Sequence, residues 1–161
     1  MSPDKPYEPR KKIRLASEIY ACANRIYFIT ICVHEGRRAF IDAELNQGTL
    51  DILAEEANRS GCVVFTYCLM PDRLHFLVAP ARDGISVLGF VNHFKSTSTR
   101  AAWETGWKGR FWQTRYYDHV VRSNENLREI AEYIVNNPVR KELARSSADW
   151  PWAGQMNPLP L

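Results

Sequence analysis

Hydrophobic positions along the chain fall into short runs with two different periods. Arg25-Ile26-Tyr27-Phe28-Ile29-Thr30-Ile31-Cys32-Val33 is almost unbroken and β-prone, which predicts a central strand. Leu50, Leu53, Ala54 and Ala57 then recur at i, i+3, i+4 and i+7, one apolar face of a helix. Ser60-Gly61 closes that helix, with glycine just past its end. Cys62 to Met70 and Leu74 to Val78 are two more strands, parted by a Pro71-Asp72 turn. Val87, Phe90, Val91 and Phe94 repeat the helical spacing and predict a second helix from about Ile85 to Trp103.

A Gly/Trp-rich loop, Glu104 to Arg110, leads to a further short strand or two between Trp112 and Val121. Ser123 or Asn124 can cap a third helix, whose apolar face is Leu127, Ile130, Ala131 and Ile134. Pro138 disfavours helical geometry at Asn137, so this helix ends or kinks there. The tail from Asp149 to Leu161 carries Trp150-Pro151-Trp152 and further prolines, and reads as an irregular arm. The order strand, helix, strand, strand, helix, strand, helix predicts an α+β fold. In it an antiparallel sheet of four or five strands carries helices on one face, a ferredoxin-like or RRM-like arrangement.

Composition narrows the class. At 161 residues and 45% apolar, one domain with a real core is expected over 1–161. It divides into a basic polar arm over 1–15, a core over about 24–145 and a Trp/Pro-rich arm over 146–161. No apolar run reaches membrane-spanning length, and the polar start of the chain lacks the apolar stretch of a secretion signal. Cys22, Cys32, Cys62 and Cys68 show no CxxC spacing and read as buried thiols of a cytoplasmic protein. The net charge is only +3, but residues 95–141 hold nine Lys/Arg against five Asp/Glu, interleaved with Trp103, Trp107, Phe111, Trp112, Tyr116 and Tyr117. Cations mixed with rings suit single-stranded nucleic acid; they equally describe a solvated surface over core aromatics.

Candidate chemistry begins in Leu69-Met70-Pro71-Asp72-Arg73-Leu74-His75-Phe76-Leu77-Val78. Side chains alternate along a strand, so His75 shares a face with Arg73 and Leu77, while Leu74, Phe76 and Val78 point the other way. The stretch resembles the Met-Pro-x-His-hydrophobic-His segment of the single-tyrosine HUH transposases, which are IS200-like, and above all of their REP-associated tyrosine transposases. Here the first histidine position holds Arg73. Two later segments extend the resemblance. Phe111-Trp112-Gln113-Thr114-Arg115-Tyr116-Tyr117-Asp118-His119-Val120-Val121-Arg122 is similar to that family's Trp-Gln…Tyr-Asp-His…Arg segment. Glu132-Tyr133-Ile134-Val135-Asn136-Asn137-Pro138-Val139 is similar to its Tyr-Ile…Asn-Pro-Val segment, and the whole resemblance spans about residues 24–153.

The resemblance implies an HUH fold and a nucleophile at Tyr133, with His75 and Asn137 as metal-binding positions and Arg73 a degenerate one. It also implies Mg2+ or Mn2+ as cofactor. The partner would be single-stranded or hairpin DNA of the repetitive extragenic palindrome type, in a cytoplasmic, nucleoid-associated setting. In such chemistry the metal polarises the scissile phosphate and the tyrosine oxygen attacks phosphorus, leaving a 5′-phosphotyrosine and a free 3′-hydroxyl. Arginine cannot ligate a cation. Either Asp72 or water fills its place and a weak metal site survives, or Arg73 grips phosphate itself. The expected function is therefore nicking and rejoining of DNA; the alternative is a DNA-binding relic with impaired catalysis.

Helical spacing also groups Glu129, Tyr133, Asn137 and Arg140 on one polar face. Lys95, Arg115, Arg122 and Arg140 are candidate DNA contacts, with surface solvation the plain alternative for the first three. Trp112 and Tyr117 are either base-stacking platforms or core anchors. Spacing leaves monomer and homodimer equally open.

Overall fold

The computed structural model describes residues 25–160; the basic arm over 1–15 and Cys22 lie outside them. Five strands form one antiparallel sheet: β1 (Tyr27–Cys32), β2 (Cys62–Met70), β3 (Arg73–Pro80), β4 (Tyr117–Val120) and β5 (Ala153–Gln155). Their spatial order is β4-β1-β3-β2-β5, so β3 runs through the centre. The helices are α1 (Ala43–Ser60), α2 (Val87–Glu104), α3 (Leu127–Val135) and the single turn α4 (Asn137–Arg140).

Strand alternation divides the interior into two cores. Tyr27, Ile29 and Ile31 of β1 and Leu74, Phe76 and Val78 of β3 pack with Leu50, Leu53, Phe90, Val91 and Phe94 of α1 and α2. Phe28, Leu77, Ala79 and Cys68 face the other side and pack with Ile130, Ala131 and Ile134 of α3. Helices therefore cover both faces of the sheet, not one as the element order suggests. The reason is visible in β3, where all residues but Arg73 are buried, a strand that needs cover above and below.

A register shift in β2 between Val64 and Tyr67 marks a bulge. The extra residue reverses the facing of the residues after it, because side-chain direction has a period of two. Val64 and Tyr67 thus both serve the α1/α2 side, and Cys68 comes to lie beside His75.

Local signals explain the element ends. Gly61 at φ 76° terminates α1 in the left-handed region, as expected for the residue after a helix. The cap of α3 is Asn126, whose side chain accepts a hydrogen bond from the Glu129 N–H at 3.2 Å; neither Ser123 nor Asn124 fills that place. Those two sit in a turn held by Glu125, which accepts from the Arg122 N–H at 2.9 Å and meets His119 Nε2 at 2.8 Å. Pro138 acts as anticipated: α3 stops at Val135, and a separate turn begins at Asn137.

The tail is not an irregular arm throughout. Its β5 pairs with Thr66, Tyr67 and Cys68 of β2. Trp150 Nε1 donates to the Leu69 carbonyl at 3.0 Å, and the Leu69 N–H donates to the Trp152 carbonyl at 2.8 Å. Gly154 lets the strand approach, since a Cβ there would lie 3.2 Å from the Tyr67 hydroxyl.

Ile134 is fully buried under α3. Ile134→Ala is expected to destabilise the protein by about 2–5 kcal/mol, the range for truncating a buried isoleucine to alanine. Urea unfolding checks this, and a loss below about 1 kcal/mol would contradict a second core beneath α3.

Candidate functional site

The site is built on the α3 side of the sheet. Cross-strand register places Tyr117 of β4, Thr30 of β1, His75 of β3, Cys68 of β2 and Ala153 of β5 in one row. Cys32, Arg73 and Met70 form the next row toward the sheet end. The alternation that puts Arg73, His75 and Leu77 on a common face is therefore present in the sheet.

His75 is buried at 5% exposure. Its Nδ1 lies 2.7 Å from Thr30 Oγ1, while its Nε2 is buried without a hydrogen-bond partner. Phe28 meets the ring edge-on at 6.0 Å. Burial pushes the imidazole pKa down from 6.5 to about 3, and the charges of Arg73, Arg140 and Lys141 push the same way, against a smaller opposing effect of Asp72. The ring is therefore neutral at physiological pH. Thr30 fixes its orientation, and the tautomer decides whether Nε2 offers a lone pair or a proton.

Arg73 forms a fork with Asp72, Nε to Oδ1 at 3.2 Å and a terminal nitrogen to Oδ2 at 3.3 Å. Both groups are partly exposed, at 42% and 32%. The carboxylate adjacent to Arg73 is thus engaged by the guanidinium.

Arg140 connects the sheet to the tyrosine. Its guanidinium carbon stands 3.6 Å from the centre of the Tyr133 ring, and its charge also acts on His75 and Cys68. Tyr133 is half-buried beside the second core. Asn137 opens α4 and is buried at 6%, so it does not share an exposed polar face with Glu129 and Arg140. Arg140 and Tyr133 stay together across the break at Asn136, as helical spacing expects, and Asn137 is the member of that grouping that turns inward.

The remaining candidates are scattered. Lys95 lies on α2, over the opposite face, where its Nζ donates to the carbonyls of Gln113 and Thr114 at 2.8 and 3.0 Å. Arg115 and Arg122 are exposed, on the segment before β4 and at the turn after it. Trp112 is a core anchor, 3% exposed, packed on Phe40, Phe94 and Phe111, with Nε1 donating to Ser98 Oγ at 2.8 Å. Thr30 is a site residue the motif reading overlooked, although a lone polar residue in Tyr27-Phe28-Ile29-Thr30-Ile31-Cys32 signals it. Glu125 is the partner of His119, at the turn after β4. Burial works to raise its carboxyl pKa, but hydrogen bonds from Arg122 and His119 prevail and hold it below the usual range.

A hard divalent cation prefers several oxygen ligands, carboxylates among them. The candidate donors are the His75 imidazole nitrogen and the Asn137 amide, and Arg73, Arg140 and Lys141 supply positive charge around the imidazole. No group of three or more His, Cys, Asp or Glu suited to a metal occurs among the described residues. The donor set present does not fit Mg2+ or Mn2+; the cations fit a phosphate oxyanion.

Residues 22–137 match the family model for IS200-like transposases. The chain belongs to that family. A candidate REP-associated tyrosine transposase of Haemophilus influenzae is 21% identical over 147 residues, covering 80% of this chain and 78% of the relative. The ISDra2 transposase TnpA of Deinococcus radiodurans is 30% identical over 67% of this chain and 80% of its own length. Among solved structures, a REP-associated tyrosine transposase bound to a REP hairpin superposes with a TM-score of 0.74 at 19% identity, covering 89% of this chain and 82% of that one. It shares the five-stranded antiparallel α+β fold. No helix among the described residues is long and apolar enough to cross a membrane.

The depressed imidazole has a pH consequence. Between about pH 6.5 and 3 the unfolded chain protonates His75 while the folded protein does not, so stability falls as pH drops through that window and is full above it. His75→Phe is expected to flatten this part of the acid limb of a stability-pH curve. An imidazole that titrates by NMR near its ordinary value would contradict the burial argument.

Proposed function

We propose that this transposase-family protein binds single-stranded or hairpin DNA through the α3 side of its sheet and that metal-assisted nicking is steeply reduced. The observation that carries this reading is Arg73, a guanidinium on the same strand face as His75 and one residue removed from it. Arg73 and Arg140 would take phosphate oxygens, which guanidinium groups recognise through paired donors. The REP-associated tyrosine transposase of similar fold is bound to a REP hairpin, which supports a palindromic repeat as the DNA class. Loss of metal stabilisation of a developing charge costs several kcal/mol, on the order of 10³-fold in rate.

A second reading keeps the enzyme alive, and the Arg140–Tyr133 stack favours it. The cation lies 3.6 Å over the phenol ring that family resemblance marks as nucleophile. In that reaction the Tyr133 oxygen forms a bond to phosphorus as the bond to the 3′ oxygen breaks. The phenol proton passes to solvent, and the 3′ oxygen takes one up to become a hydroxyl.

A covalent-adduct assay separates the two. Purified protein is incubated with labelled hairpin DNA from repeats flanking the gene, with Mg2+ or Mn2+ or with chelator, and run on a denaturing gel. The expected result is hairpin binding with little or no adduct, and Arg73→His is expected to raise metal-dependent adduct. A strong adduct in the unmodified protein, abolished by Tyr133→Phe, would establish the second reading instead. Arg73→Ala and Arg140→Ala are each expected to weaken binding and to reduce the salt slope by about 1, as for a lost phosphate contact. An unaltered slope in both would place the DNA elsewhere.

A further inference from the structure

The loop Glu104 to Arg110 takes no part in the site just described, yet it builds a defined cleft. Arg37 lies over Trp107, its guanidinium carbon 4.1 Å from the ring centre. Trp107 is held from behind by Phe111, edge-on at 5.1 Å, and its Nε1 donates to the Arg110 carbonyl at 3.1 Å. Gly106 and Gly109, at φ 105° and 80°, supply the left-handed turns that fold the loop around the ring. The cleft has a volume of about 510 Å³ and is lined by Arg37, Trp107, Lys108, Thr105, Leu45 and one acid, Asp42.

Its chemistry is that of an unpaired nucleotide. Arg37 and Lys108 are exposed in the cleft lining against one acid, Asp42, with Arg38 and Arg110 as well as Glu35 and Glu104 nearby in sequence, so Arg37 and Lys108 are the groups that would meet a phosphate. A guanidinium laid on an indole presents a flat cation on which a nucleobase can stack, and such stacking tolerates any base. Arg37 is already ordered by Trp107, so little side-chain freedom remains to be lost on binding.

Position supports the assignment. The segment bearing Arg37 is laced to the turn before Arg73: the Val33 N–H donates to the Asp72 carbonyl at 2.8 Å and the Phe40 N–H to the Pro71 carbonyl at 3.0 Å. The His34 N–H donates to the Phe111 carbonyl at 2.9 Å, joining the tryptophan loop to the same end of the sheet. The cleft and Arg73 therefore adjoin one end of β1 and β3. We propose that the Arg37–Trp107 cleft is a second DNA contact, which holds an unpaired nucleotide of a strand whose phosphates also meet Arg73. This rests on the DNA-binding reading above only for the identity of the strand.

The test uses three fluorescent DNAs in chelator: a blunt hairpin, the same hairpin with a six-nucleotide single-stranded extension, and the unpaired hexamer alone. The variants are Arg37→Ala/Lys108→Ala and Arg37→Lys, read by anisotropy with circular dichroism to confirm folding. The double variant is expected to bind the extended hairpin roughly tenfold more weakly while leaving the blunt hairpin unchanged. Arg37→Lys, which keeps the charge but not the plane, is expected to recover less than half of that loss in logarithmic terms. Undiminished binding of the extended hairpin by the double variant would overturn the proposal, as would full recovery by Arg37→Lys. If neither hairpin binds the unmodified protein, the reading of the α3 side as a DNA surface fails. The cleft then stands on the hexamer, supported by binding that the double variant weakens and overturned by no binding.

Discussion

The architecture turns on one strand that is buried from both sides. β3 lies at the centre of the sheet, with α1 and α2 against Leu74, Phe76 and Val78 and α3 against Leu77. A polar side chain in such a strand is costly unless it finds a partner. His75 finds one in Thr30 on the neighbouring strand, 2.7 Å away. That contact orients the ring and leaves its other nitrogen partnerless within the charge field of Arg140. The same packing that makes β3 the keystone therefore also creates an orphaned imidazole nitrogen on the α3 face.

Charge then decides what that orphan can serve. An imidazole in place of Arg73 would have added a second nitrogen donor beside His75. A guanidinium adds a permanent cation and engages Asp72, the adjacent carboxylate. With Arg140 and Lys141 the balance at His75 is positive. A divalent cation entering there meets like charge, and a phosphate meets opposite charge. The preference is the same whichever tautomer His75 adopts, because it rests on the side chains around the ring and not on the ring itself.

Much of the fold can be read from hydrophobic period alone, since β1 to β3 and the two long helices carry unambiguous patterns. The readings that need correction depend on long-range pairing. Ala153-Gly154-Gln155 has no strand pattern of its own and becomes β5 only because the outer edge of β2 is open to it. The placing of α3 opposite α1 and α2 follows from β3 being buried twice, which a run of apolar residues permits but does not require. For the site, Arg73, His75 and Tyr133 are legible through motif resemblance, and the first two also through strand alternation. Asn137 falls on an exposed face only if helical spacing is carried across the break that Pro138 introduces. Thr30 and His75 are 45 positions apart, a contact that no local pattern specifies, whereas Arg140 meets Tyr133 seven positions away, as helical spacing anticipates.

Arg73 and His75 differ in how far the fold depends on them. It stands at the entry to β3, the one partly exposed residue of that strand, and its fork with Asp72 is a surface ion pair worth about 0–1 kcal/mol. An exchange at position 73 would disturb neither core, since Leu74 and Phe76 keep the α1/α2 side and Leu77 keeps the α3 side. Exchange at His75 would be different, because that ring is buried and bonded to Thr30. Of the two, position 73 is thus the one that can change without unfolding the protein. On the reading proposed above, the cation held there attracts a phosphate backbone. On that reading, a change at position 73 alters the chemistry of the site before it alters the fold.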